Sequence, residues 1–105
     1  MKYVIKPLEW WTESFSKKFE RYYSNTVGYY WYTIVRFIDH KNEFKEDGEL
    51  NWSKWRLDIR LNNKFYHPRE SKYIYSSSFE SLDAAFAAAN NHNEMFLSVY
   101  LEQAS

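Results

Sequence analysis

The run Gly28-Tyr-Tyr-Trp-Tyr-Thr-Ile-Val-Arg-Phe-Ile38 constrains this chain more than any other stretch. Almost every residue in it is aromatic or β-branched, which is the composition of a strand. Tyr29, Trp31, Thr33, Val35 and Phe37 fall on one face of that strand, and Tyr30, Tyr32, Ile34, Arg36 and Ile38 on the other. Both faces are ring-rich. The sequence offers one convincing helix, and one helix covers one face of a small sheet, so the second face is left for water or a partner. Arg36 marks the Tyr30, Tyr32 side as the expected wetter face.

A chain of 105 residues makes one domain with a modest core. Ten Tyr, eight Phe and five Trp fill that core with few side chains, because each large ring buries roughly 150–250 Å². Such a content of rings argues against low-complexity disorder. The charges balance at 14 against 14, without the basic excess usual in a domain that grips nucleic acid. Segregation is mild: residues 1–40 lean basic, and after Ser81 the only charges are Asp83, Glu94 and Glu102. There is no cysteine, hence no disulfide and no thiolate chemistry. The start lacks the apolar core of a secretory leader. No stretch approaches the roughly 20 apolar residues of a membrane helix. A soluble cytoplasmic protein without a membrane partner is the expectation.

Along the chain, Pro7 keeps the first residues extended, and Leu8 to Thr12 reads as a short edge strand. Residues 13–24 fit two patterns. Phe15, Phe19, Tyr22 and Tyr23 share a helical face, whereas a hairpin through Gly28 makes 18–24 a strand, the reading adopted here. After Tyr29–Ile38 comes a polar loop, 39–51, holding the turn signal Asp47-Gly48. Trp52 to Leu61 alternates: Trp55, Leu57, Ile59 and Leu61 point one way, and Lys54, Arg56, Asp58 and Arg60 the other. Asn62-Asn63-Lys64 is a turn, and Tyr73-Ile74-Tyr75 a further strand. Ser81 then caps a helix from Leu82 to about Glu102. Leu82, Ala85, Phe86, Ala89, Phe96, Val99 and Tyr100 form its apolar stripe, expected to meet Trp55, Leu57, Ile59 and Leu61. The fold expected is α+β, an antiparallel sheet of three to five strands with one long C-terminal helix packed on one face.

Two segments, Ile5-Lys-Pro-Leu-Glu-Trp10 and Phe79-x-Ser-Leu-Asp-Ala-Ala-Phe-Ala-Ala-Ala89, carry a resemblance. Together they resemble small phage and prophage proteins that open on a Lys-Pro-Leu-x-Trp segment, run through aromatic strands, and close on an Ala-rich helix after Ser-Leu. This chain departs from that pattern in its longer 39–51 loop and in Phe86. The resemblance implies a phage-encoded accessory protein, of the kind that binds and blocks a host protein as anti-CRISPR and other anti-defence inhibitors do. It carries over no catalytic residue.

Catalytic and metal motifs are missing from the sequence. His40, His67 and His92 have no zinc spacing, and Gly28 and Gly48 alone cannot build a phosphate loop. Glu43, Glu46, Asp47 and Glu49 do not follow a calcium-loop pattern, and Lys41 and Lys45 interrupt them. A non-enzymatic protein with no cofactor and no metal is expected. The candidate partner-binding residues are Tyr30, Tyr32, Arg36, Arg56 and Arg60 on the sheet, with Glu43, Glu46 and Asp47 in an acidic loop. Tyr and Arg are enriched at protein interfaces. The same types stack single-stranded bases, so a nucleic-acid module is the alternative. A homodimer that covers its own second face is another.

Overall fold

The computed structural model describes residues 7–13, 18–26, 30–61 and 73–104. They form a five-stranded antiparallel meander, β1 (Trp11–Glu13), β2 (Phe19–Thr26), β3 (Tyr30–Phe37), β4 (Trp55–Leu61) and β5 (Tyr73–Phe79), followed by helix α1 (Leu82–Ala104). This is the expected α+β fold, with α1 packed over β3, β4 and β5. The ambiguous 18–24 stretch is strand from Phe19 onward and pairs with β3 over the whole of β2. The first strand starts at Trp11 rather than Leu8. Gly28, Phe15 and the 62–64 turn lie outside the described residues.

Register decides which residues meet α1. Tyr22, Ile34, Leu57 and Ser77 form one row across the sheet, and Ser24, Tyr32, Ile59 and Tyr75 form the next. Tyr32, Ile34, Leu57 and Ile59 are sealed, as are Ala85 and Ala89 of the helix, and Trp55 closes one end of this core. Burying each such branched side chain contributes about 1.5–3 kcal/mol. Ala85 and Ala89 have side chains short enough for the helix to sit close on the strands. Of the other alanines, Ala84 and Ala87 face solvent. Leu61 is 45% exposed and is not part of the helix contact expected for it.

A second cover comes from the segment before β1. Leu8 and Trp10 pack against the core, and Trp10 meets the Phe86 ring at 4.9 Å between centroids. Tyr22 approaches the same ring edge-on at 5.4 Å. Two hydrogen bonds fix the segment: Leu8 N–H donates to Asn90 Oδ1 at 2.9 Å, and the Ser24 hydroxyl donates to the Glu9 carbonyl. At the helix start the Ser81 hydroxyl accepts from Ala84 N–H at 3.1 Å, the cap anticipated from sequence. Further along, His92 and Phe96 lie against Tyr30, and the Tyr32 hydroxyl reaches His92 Nδ1 at 2.9 Å.

The 39–51 loop is folded back on itself. Bridges Ile38–Trp52 and Phe44–Leu50 extend the β3–β4 hairpin into an arm. The arm turns at Lys45–Glu49, where Gly48 takes a left-handed φ of 86°.

Candidate functional site

The sheet faces are reversed relative to the sequence expectation. Tyr30, Tyr32 and Ile34 look toward α1, and Tyr32 has no exposed surface. Trp31, Thr33, Val35 and Phe37 form the outward side of β3. Arg56, Asp58 and Arg60 pair with Val35, Thr33 and Trp31, which puts them on that outer side and opposite to Arg36. Tyr32 is therefore withdrawn from the partner-binding set, and half-buried Tyr30 belongs to the helix contact. The reason lies in β4. Its Trp55, Leu57, Ile59 series is the more apolar of its two faces, and pairing locks the even-numbered residues of β3 to that side.

Arg36 did not mark a wet face because it plugs the end of the core. Its guanidinium lies 4.1 Å from the Trp52 ring and 4.5 Å from the Trp55 ring, with Nη2 donating to Glu20 Oε1 at 2.9 Å. A planar delocalised cation can stack on indoles while one edge pairs with a carboxylate, which makes an arginine compatible with an otherwise apolar face, although Arg36 Nε is buried here without a hydrogen-bond partner.

The outer face is built from all five strands. Its middle row runs Trp11, Tyr23, Thr33, Asp58, Ser76; beside it run Arg21, Val35, Arg56, Ser78 on one side and Trp31 with Arg60 on the other. Trp11 is 41% exposed, Trp31 38% and Phe37 45%. Arginines lie among them: Arg21 sits 6.0 Å from both the Phe19 and Tyr23 rings, and Arg56 lies 5.9 Å from Phe37. Asp58 is buried, accepting from Ser76 Oγ at 2.7 Å and Arg56 Nε at 3.0 Å. That pairing satisfies the carboxylate and fixes Arg56 flat on the sheet.

The acidic loop residues do not join this face into one cluster. Glu43 pairs with Lys18 at 2.9 Å, and Asp47 accepts from Glu49 N–H at 3.0 Å within the turn, with Glu46 exposed beside it. All three lie on the arm beyond the Phe37 and Arg56 end of the sheet. Arg60 and Trp31 are at the other end, about 13 Å away along β4. The arm also carries exposed Phe44 and Leu50 at 58% and 40%. At its base an open cleft of about 370 Å³ is lined by Phe37, Ile38, Asp39, His40, Asn51, Trp52 and Ser53.

Sequence reasoning missed Trp11, Arg21, Trp31 and Phe37. The alternation of β4 held half of the signal, its own facing; the register that sets its charged side beside the odd-numbered residues of β3 is not written in either strand alone. Among the described residues no group of three His, Asp or Glu side chains is placed to hold a metal ion, and no helix is long and apolar enough to cross a membrane. No protein-family model, no curated protein and no solved structure matches this chain.

Proposed function

We propose that this chain is a non-enzymatic accessory protein that docks another protein against the outer face of its sheet. The observation that carries the reading is the exposure of Trp11, Trp31 and Phe37 among Arg21, Arg56 and Arg60 on a face that α1 does not cover. Aromatic anchors with arginine are the residue types that dominate protein-interface energetics, and rigid strands lower the entropy lost on docking. The resemblance of the two end segments to phage and prophage proteins extends the proposal to a phage-type inhibitor. It would act in the host cytoplasm by occluding a host protein, such as a CRISPR or other defence effector. Glu46 and Asp47 on the arm supply acidic contacts at the border of such an interface, where charge sets specificity and association rate.

A second reading, binding of single-stranded nucleic acid, draws on one specific feature. Arg21, Arg56 and Arg60 share the outer face with stacking rings and outnumber its two strand acids, Glu13 and Asp58, by one. Salt separates the two readings. Phosphate contacts weaken steeply as salt rises, and a ring-centred protein interface does not. The test is expression of the wild type and of a Trp31→Ala, Phe37→Ala double variant in a host carrying an active defence system. Restored phage plating by the wild type alone supports the proposal. Equal plating by both, with both folded, rejects this face as the inhibitory surface.

A further inference from the structure

We propose that β5 pairs with β5 of a second copy of this chain, antiparallel about Ser77, joining the two sheets edge to edge. β5 is the last strand in the sheet order, and among the described residues no strand lies beyond it. A bare edge presents a row of backbone N–H and C=O groups, and the chemistry that satisfies such a row is another extended backbone.

The two edges of this sheet differ in how they resist such pairing. β1 is three residues long, too short to template a partner. β5 is seven residues long, and Tyr73-Ile-Tyr-Ser-Ser-Ser-Phe79 contains neither a charge nor a proline. The bulge at Ile59/Arg60 disturbs only the Tyr73 end, which leaves Tyr75 to Phe79 in regular register. That regular stretch is centred on Ser77. Antiparallel pairing about this residue sets Tyr75 opposite Phe79 of the second copy twice over, Ser76 opposite Ser78, and Ser77 opposite itself. No charges oppose one another, and each end of the ribbon gains an aromatic cross-strand pair, the favoured kind. Tyr75, 42% exposed in the single copy, acquires a ring neighbour.

The helices do not obstruct this arrangement. α1 lies over β3 to β5, and three strand spacings separate β4 of one copy from β4 of the other. That distance is about 14 Å, wider than the roughly 8–10 Å between helices in contact. The self-pairing favours a second copy over a foreign strand, because symmetry supplies both ring pairs from this sequence alone. The edge shares no residue with the exposed rings of the outer face, so dimerisation leaves that face open and the two proposals fail independently.

The chain has no cysteine, which permits a register-specific test by sedimentation and oxidation. Wild-type protein is expected to sediment as a dimer at micromolar concentrations. Ser77→Cys brings the two thiols directly opposite each other and is expected to form a disulfide-linked dimer on mild oxidation. In Ser78→Cys the pairing offset moves the α-carbons beyond the roughly 7 Å limit for a disulfide, and that variant is expected to stay unlinked. A wild type that sediments as a monomer at tens of micromolar, or equal cross-linking by both variants, overturns the proposal.

Discussion

His92 shows how one residue couples the helix to the sheet. Burial pushes its imidazole below the ordinary histidine value, and the neutral ring can accept the Tyr32 hydroxyl at Nδ1. The unfolded chain takes up a proton near pH 6.5 that the folded state refuses, so the stabilisation is complete above that pH and is lost as pH falls below it. Urea midpoints measured from about pH 8 down to about pH 5 should therefore fall, and His92→Gln should flatten that part of the slope. An unchanged slope in the variant would remove His92 as the source. Tyr32 and its neighbour Trp31 make the complementary comparison. Tyr32→Ala empties a sealed site and is expected to cost about 3–5 kcal/mol in chemical denaturation. Trp31→Ala, on the open side, is expected to cost about 1 kcal/mol or less, in the manner of surface substitutions.

Among the elements, β4 and α1 were the most readable from sequence. The strict alternation from Trp55 to Arg60 and the cap at Ser81 are local signals, and both appear in the structure. Removing the cap with Ser81→Ala should lower stability by about 0.5–2 kcal/mol, visible as a shifted thermal midpoint. Gly48 in the arm is a comparable local device. Gly48→Ala forces a side chain into a left-handed turn, although open space surrounds it, and should destabilise the arm by about 1 kcal/mol. Hydrogen exchange at Lys45 and Gly48 reports that loss locally, because their N–H groups close the turn. The orientation of β3 was not readable from β3 itself. Both of its faces are aromatic, and Arg36 suggested the wrong one because its cation is stacked between Trp52 and Trp55. Facing is a property of strand pairs, and the decision came from β4 through the register.

For the whole molecule, the consequence is a domain with two unlike surfaces. The inner side is closed by α1 together with Leu8 and Trp10, a second cover that composition and periodicity do not reveal, since it depends on a contact between residues far apart in sequence, Leu8 N–H to Asn90 Oδ1. The outer side keeps Trp11, Trp31 and Phe37 in view, and its use as a docking surface is the central claim. Site-specific photo-cross-linking tests it most directly, with a light-activated phenylalanine derivative placed at position 31, and at exposed helix position 95 as the control. The account predicts that position 31 captures one discrete protein in the host cell, in a product that resists nuclease and survives high salt, while position 95 captures none. Equal capture at both positions, capture at 31 of nuclease-sensitive material alone, or no product at 31 would contradict it.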